Sequence, residues 1–306
     1  MVYVGKRLLA LVVLLIGISI LVFLMLQLIP GSPVTALLGQ SATNPAAVAR
    51  LNAELGLNKS LPVQFWLWLK GVLHGNLGYS YQNQQPVSAL IGQNLPSTLE
   101  LAGAGLLISI VGGIVLGAVA AVRRDTATDS VSMGIAMTLV ALPSFWLGLI
   151  LILLFAVVLP WFPVVGGTSL RGLVLPALTL GLGLLGITGR FVRSSLLEAM
   201  HSSHVVAARA KGLNSRTVFL KHIARNAVLP VITVIGLQVG ALLSGTVLVE
   251  VVFSRPGIGR LLVQSILSKD YATVQATVLI IAAFYAITNL VVDLLYPLLD
   301  PRIGGT

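Results

Sequence analysis

Six long apolar runs, separated by polar connections, form the hydrophobic pattern of this chain. They cover residues 8–29, 99–122, 131–159, 174–191, 229–252 and 273–295. Each run approaches or exceeds the ~20 residues with which an α-helix crosses the hydrocarbon core of a bilayer. The pattern therefore predicts an all-α integral membrane protein with six transmembrane helices.

Composition and charge agree with this class. The sequence is 57% hydrophobic and 9% charged, with a net charge of +10, whereas soluble domains carry about 25% charged residues. Nucleic-acid binding would need a basic patch on a soluble module, but here the basic residues lie between the apolar runs. The sequence contains no cysteine, which excludes disulfides, thiolate catalysis and cysteine-ligated metals.

The first run is either a signal peptide or an uncleaved anchor, since Lys6 and Arg7 precede it. Its 22 residues exceed the apolar segment of a signal peptide, which is about 7–15 residues long, and no small-x-small cleavage site follows it directly. We therefore expect residues 1–29 to form an N-terminal transmembrane helix.

Orientation follows from the lysine and arginine residues of the connections. With the N-terminus in the cytoplasm, the cytoplasmic connections hold twelve of the 19 basic residues and the opposite connections hold seven. Because cytoplasmic loops carry the excess of positive charge, both termini are predicted to be cytoplasmic.

Residues 30–98 form the long extracytoplasmic connection in this topology. Asn44 and Pro45 are a typical helix start, and Gly56 is a plausible helix end. A second helix is predicted over residues 62–73, and its apolar face is formed by Phe65, Trp66, Leu69 and Leu73. Such a helix either lies on the bilayer surface or docks a partner.

Glycine is frequent along the second apolar run, and its positions there are Gly103, Gly105, Gly112, Gly113 and Gly117. Small residues let helix backbones approach closely in a membrane. We interpret this stripe as a helix–helix packing surface.

The cytoplasmic connection, residues 194–228, predicts a short helix that ends at a glycine. Ser202 or Ser203 can cap a helix running to Lys211. Gly212 then lies where a left-handed residue ends a helix.

A second helix follows in the same connection, and Ser215 is its predicted cap. Its apolar face holds Val218, Phe219, Ile223 and Ala227. The fifth apolar run then begins at Leu229 and Pro230. A basic loop that only sets topology would explain the charge here, but not two capped helices around a glycine.

At this point the residues resemble a known family. The stretch Ala207, Ala208, Arg209, Ala210, Lys211, Gly212, Leu213, followed by His222, Arg225, Asn226, Ala227, Leu229 and Pro230, resembles the coupling-loop signature of ABC importer membrane subunits. The form is that of the dipeptide, oligopeptide and nickel branch. Val206 stands where general ABC permeases carry glutamate, and His204 stands where peptide members usually carry tyrosine.

The resemblance covers essentially the whole chain. Further matching segments occur in family order at residues 75–80, 96–101, 175–177, 190–193, 250–259, 270–271 and 300–302. It implies a type I importer permease fold, in which residues 99–306 form a five-helix core that contains the coupling loop. The implied location is the inner or plasma membrane of a prokaryote.

The resemblance also implies which residues act and with which partners. The loop residues that would dock on an ATPase are Ala207, Ala208, Arg209, Ala210, Lys211, Gly212, Leu213, Arg225, Asn226 and Pro230. The residues that would face a substrate-binding protein or form an extracytoplasmic gate are Gly78, Ser80, Glu250, Pro256, Gly257 and Gly259. The remaining partners would be a homologous second permease and two cytoplasmic ATPase subunits.

This chain lacks the phosphate-binding loop Gly-x-x-x-x-Gly-Lys-Ser/Thr, so ATP and Mg²⁺ are expected to bind on the partner ATPases. We expect no catalytic residues, no metal site and no cofactor. An intramembrane metalloprotease would need His-Glu-x-x-His, which is absent, and an aspartyl protease would need a partner for Asp293. His201 and His204 can share a helix face, but two histidines without a carboxylate make a poor zinc site.

An ion-coupled secondary transporter is the alternative from a different class. Such proteins place a carboxylate near the middle of the bilayer, but Glu100, Glu250 and Asp293 all fall near the ends of the predicted helices. Within the ABC importers, the substrate stays open between short peptides, glutathione-like peptides, nickel and metal–metallophore complexes. Short peptides are the expectation and nickel or metallophore import is the alternative.

Overall fold

A computed structural model describes residues 2–28, 45–54, 58–165 and 167–299, and its regular structure is almost entirely helical. The helices are α1 (Val2–Leu28), α2 (Pro45–Glu54), α3 (Leu61–Leu73), α4 (Val87–Val122), α5 (Ala127–Ala141), α6 (Ser144–Ile152), α7 (Leu170–Met200), α8 (Ser203–Ala210), α9 (Ser215–Thr217), α10 (Arg225–Val252), α11 (Ile258–Leu267) and α12 (Tyr271–Leu299). A short antiparallel hairpin pairs β1 (Tyr79–Ser80) with β2 (Gln85–Pro86). The predictions on Asn44, Gly56 and residues 300–302 lie outside the described residues.

Within the described ranges, four helices are long and apolar enough to cross a membrane alone, namely α1, α4, α7 and α12. Two bent pairs are further candidates. One joins α5 to α6, which continues as a π-helix over Leu153–Val158, and the other joins residues 215–228 to residues 230–242. The protein thus has four to six candidate spans, and counting each bent pair as one span gives six.

The third apolar run, residues 131–159, is divided between two helices at Pro143. The chain bends by 105° between α5 and α6. Leu142 is extended, with φ −77° and ψ 128°, because the ring of Pro143 disfavours the helical conformation of the residue before it.

By its internal contacts the chain divides into two compact units, residues 1–96 with 256–287 and residues 97–255 with 288–306. In the second unit, α4 lies close against α7. A side-chain carbon added at Gly105, Gly112, Gly113 or Gly117 would collide with Leu180, Leu185, Thr188 or Val192, respectively. The predicted packing surface is therefore confirmed for these four glycines, but it does not include Gly103, which has open space around it.

In the first unit, α3 packs on α1 through aromatic rings. The Phe23 ring centroid lies 5.5 Å from that of Phe65 and 6.2 Å from that of Trp68. The predicted apolar face of α3 is thus only partly correct, because Trp66 and Leu73 are 62% and 74% exposed. Trp68 takes the inward position, since its ring can reach Phe23 from the same helix turn as Phe65.

A second cluster of the first unit joins the start of α4 to α11 and α12. Val87, Ile258 and Ala276 are almost completely buried in it. The β-hairpin lies in the chain between two residues of this cluster, Leu77 and Val87.

Candidate functional site

The short helix α8 has one buried and one exposed face. Val205 and Ala208 are 0% and 5% exposed, whereas Val206, Ala207 and Arg209 lie on the outside. Ser202 is in the capping position, but its hydroxyl donates to the Ala199 carbonyl (2.5 Å) and makes no capping bond to α8. Burial of the inner face therefore stabilises α8 more than its cap does.

Gly212 ends this helix as predicted. Its φ is +79°, a left-handed conformation that glycine adopts without steric cost. The Gly212 N–H donates to the Arg209 carbonyl (3.0 Å) and the Leu213 N–H to the Ala208 carbonyl (3.4 Å), so two of the last helix carbonyls are satisfied.

The second helix begins one residue earlier than expected. The Asn214 side-chain oxygen accepts from the Thr217 N–H (2.7 Å), so Asn214 is the cap in place of Ser215. The helix then passes through a π-helical turn, Val218–Ala224, and continues without a break into α10. Its predicted inner face is confirmed, since Val218, Ile223 and Ala227 are buried.

Side-chain hydrogen bonding between Asn226 and His204 joins the two helices of the loop. The Asn226 amide donates to His204 Nε2 (2.8 Å) and to the His222 carbonyl (2.8 Å). Asn226, which the resemblance placed among the docking residues, thus joins α8 to the start of α10. His204 supplies the acceptor on α8, and no comparable bond was evident in the sequence.

The buried side of the loop contacts the ends of three long helices. Val205, Ala208 and Val218 share one cluster with Ala121 at the end of α4, with Val231 of α10, and with three residues near the end of α7, Val192, Leu196 and Ala199. The inner face of α8 therefore belongs to the same apolar cluster as the ends of α4, α7 and α10.

The exposed side of the loop presents apolar groups among cations, and we name it the coupling surface. Its apolar members are Val206, Ala207, Ala210, Leu213 and Leu220, and its basic members are Arg209, Lys211, Arg216, Lys221 and Arg225. The sequence contains no aspartate or glutamate between Glu198 and Glu250. This surface is complementary to an apolar groove with an acidic rim. Gly212 and Pro230 are also exposed.

An ion pair that sequence reasoning missed braces α7 just before the loop. Arg193 donates from Nε and from one terminal nitrogen to the two carboxylate oxygens of Asp129, both at 2.6 Å. The Asp129 side chain is 7% exposed and that of Arg193 is 27% exposed. The sequence signal was an aspartate two positions before the third apolar run.

We expect Asp129→Asn to lower the apparent melting temperature of the purified subunit by several degrees, because Arg193 would lose its bidentate carboxylate at a largely buried position. The measurement is a thermal-stability assay in detergent. Asp125→Asn is the matched control, since Asp125 pairs with Arg124 in solvent, with side chains 79% and 47% exposed, and exposed pairs contribute little. Equal melting temperatures for the two variants would contradict the expectation.

The predicted gate residues fall in both units. Glu250, in the second unit, is fully buried and accepts from the Thr98 hydroxyl (2.6 Å). Arg255 is also fully buried and donates to Glu100 (2.9 Å) and to the Gly167 carbonyl (2.9 Å). Glu100 and Glu250, both considered for ion coupling, are therefore bound to neighbouring side chains, and the full burial of Arg255 was not foreseen.

The other predicted gate residues belong to the first unit. The Ser80 hydroxyl donates to Asp270 (2.5 Å), and Gly78 has φ +92° beside Ala272. Pro256 is half-buried, and Gly257 and Gly259 are buried at the start of α11. The structure thus brings together residues 75–80 and 270–271, as it does residues 96–101 and 250–259.

Across the part of the chain that the structure describes, no three histidine, aspartate or glutamate side chains come close enough to hold a metal ion. His201 and His204 lie on either side of the break between α7 and α8, so they do not share a helix face. His201 lies 3.3 Å from Arg124, whereas His204 bonds to Asn226.

Comparisons with known proteins agree on one family. Residues 113–305 match the family described as binding-protein-dependent transport system inner membrane component, and residues 1–102 match the N-terminal part of such membrane components. The glutathione transport system permease protein GsiC of Salmonella choleraesuis is 41% identical over 301 residues, and that of Escherichia coli K12 is 39% identical. Each alignment covers 98% of both chains.

A solved structure shares the fold at low identity. The crystal structure of an amino acid ABC transporter with histidines aligns with a TM-score of 0.54 and 17% identity. The alignment covers 70% of this chain and 94% of the other.

Proposed function

The chain belongs to the inner membrane components of binding-protein-dependent transport systems, as an ABC importer permease of the peptide, glutathione and nickel type, and from this we propose that it forms one half of a pore that imports short peptides. It is a multi-pass component of a bacterial inner membrane. The observation that carries the proposal is the coupling surface, an exposed apolar and basic face supported by the ends of three long helices.

The proposed topology has six spans, with the two bent pairs counted as one each and both termini in the cytoplasm. This orientation places the coupling surface in the cytoplasm, where an ATPase can reach it. It also agrees with the excess of basic residues on that side.

In the proposed mechanism, α8 docks in a groove of one ATPase. When two ATPases close on ATP and Mg²⁺, the docked helices of this chain and of a homologous second permease move together. Because the inner face of α8 shares one apolar cluster with the ends of α4, α7 and α10, we expect these helices to follow, and the pore to change from inward-open to outward-open. The ATPases hydrolyse ATP and this chain has no catalytic role.

Short peptides are the proposed substrates, delivered by a substrate-binding protein. Support comes from relatives named as glutathione transport permeases, since glutathione is itself a small peptide. Within this class, glutathione-like tripeptides are the first candidates. Nickel or metallophore import remains the alternative.

The test is ATP hydrolysis by the complete transporter, purified with its co-purifying subunits and placed in lipid nanodiscs. We expect the binding protein with glutathione or mixed short peptides to stimulate hydrolysis several-fold, because substrate-loaded binding protein drives the transport cycle. A nickel chelate is the matched competitor. Stimulation by nickel alone would reassign the substrate, and uptake that survives ATP depletion but not loss of the ion gradient would refute an ATP-driven importer.

A further inference from the structure

Residues 79–86 form a short hairpin that presents two tyrosine rings, and we name it the tyrosine hairpin. Tyr79 pairs with Pro86 and Ser80 with Gln85. Tyr79 and Tyr81 are 43% and 48% exposed, and their rings meet edge to face with centroids 5.1 Å apart. Both rings are therefore available to a partner.

A buried polar network holds this hairpin in place. Ser80 is fully buried and its hydroxyl donates to Asp270, which also accepts from the Thr273 hydroxyl (2.7 Å). The backbone and side-chain nitrogens of Asn83 donate to the Ser80 oxygen at 3.1 and 3.0 Å. Successive residues of an extended segment point to opposite sides, so burial of Ser80 turns its neighbours Tyr79 and Tyr81 outward.

This arrangement suits binding to a protein. Tyrosine offers a large contact area at a small cost in side-chain entropy, and it is enriched among the residues that dominate protein interfaces. Because the network around Ser80 already orders the turn, binding would not have to order it.

The charge of the hairpin distinguishes a protein partner from a lipid surface. The sequence has no aspartate, glutamate, lysine or arginine between Lys70 and Glu100. Around the two tyrosines, Gln82, Asn83 and Gln84 are exposed. Amides form hydrogen bonds with a protein surface, whereas phosphate headgroups favour clusters of cations. Lys269 is exposed and follows Ser268, whose carbonyl accepts from the Gln82 amide (3.4 Å), but a single lysine does not make such a cluster.

We propose that the tyrosine hairpin docks the substrate-binding protein, with Tyr79 and Tyr81 as the central contacts and the neighbouring amides as hydrogen-bonding groups. The inference rests on the proposed function, in which such a protein delivers the peptide. The hairpin lies between α1 and α4, and thus on the side that the proposed topology places outside the cytoplasm. Contact there is made by aromatic rings and amides, in contrast to the basic coupling surface.

The test measures the affinity of the fluorescently labelled binding protein of this system for the complete transporter in nanodiscs. Tyr79→Ala and Tyr81→Ala are each expected to raise the dissociation constant about tenfold, the size of effect found for central tyrosines. Tyr285→Ala is the matched control, because Tyr285 is 42% exposed but lies far along α12, and we expect its effect to be within about twofold.

Salt provides a second readout. Because neither substitution removes a charge, the loss of affinity is expected to be the same at low and high ionic strength. A loss that appears only at low salt would overturn the proposal, since it would indicate an indirect electrostatic effect.

Other outcomes separate the inference from the function on which it rests. Unchanged affinity in both variants, with normal peptide uptake, would overturn the docking role and leave the importer intact. Loss of the second permease from the purified variants would show that the rings contact that subunit. Failure of the variants to enter nanodiscs would show that the rings contact lipid. Either outcome would also overturn the docking role. A wild-type transporter that neither binds the protein nor responds to it with ATP hydrolysis would refute the proposed function itself.

Discussion

Gly212→Trp is expected to abolish uptake while the transporter still assembles in the membrane. A side-chain carbon at Gly212 would meet no atom within 4 Å, and Gly212 is exposed, so we expect the indole to project from the coupling surface. The indole would then collide with the wall of the ATPase groove in which α8 docks. The measurement is peptide uptake and ATP hydrolysis in proteoliposomes, where we expect hydrolysis that no longer responds to the substrate-loaded binding protein.

Gly212→Asn separates bulk from backbone strain. Any side chain at φ +79° carries a conformational cost of about 1–2 kcal/mol, but asparagine tolerates the left-handed region better than most residues. We expect Gly212→Asn to keep most of the uptake. Wild-type uptake in Gly212→Trp would refute the docking role, and an equal loss in both variants would assign the effect to the strained backbone.

The elements that the sequence predicted well are those specified by local signals. The helix α8, its glycine terminator and the inner face of the following helix depend on neighbouring residues, so a pass along the chain finds them. The cap of α9 shows the limit of this approach. Asn214 and Ser215 are adjacent and equally suited to capping, and the choice depends on where the chain leaves Gly212.

Contacts between distant residues could not be predicted in this way. Ser80 and Asp270 are 190 positions apart, and Thr98 and Glu250 are 152 positions apart. The sequence indicated only that each residue belongs to a motif. Which motifs meet depends on how the long helices pack, and no periodicity within one helix contains that information.

Periodicity also failed where two faces of a helix are both apolar. On α3, Trp66 and Trp68 are equally suited to burial by composition, and the position of Phe23 on α1 determines that Trp68 faces inward. On α4 the glycines show the same effect, because Gly103 and Gly117 look alike in the sequence but only Gly117 faces α7.

Because Gly117 faces α7 and Gly103 does not, a substitution at Gly117 is expected to have the largest effect on the stability of the subunit. A side-chain carbon at Gly117 would collide with the Gly189 carbonyl oxygen and lie 2.7 Å from the Cβ atom of Val192. A backbone oxygen cannot rotate away, so a leucine at this position must push α4 and α7 apart. We expect Gly117→Leu to destabilise the subunit by about 3 kcal/mol, the upper part of the range for overpacked interfaces.

Gly103→Leu is the control, since it is the same substitution in the same helix with no atom within 4 Å of the added carbon. Leucine forms helix more readily than glycine by roughly 0.8 kcal/mol, so this variant should be as stable as the wild type or slightly more stable. The measurement is thermal unfolding of the detergent-solubilised subunit, followed by the fraction that remains monodisperse. If Gly117→Leu and Gly103→Leu unfolded at the same temperature, the close approach of α4 and α7 would be wrong. The proposal that α8 moves these two helices together would then lose its structural basis.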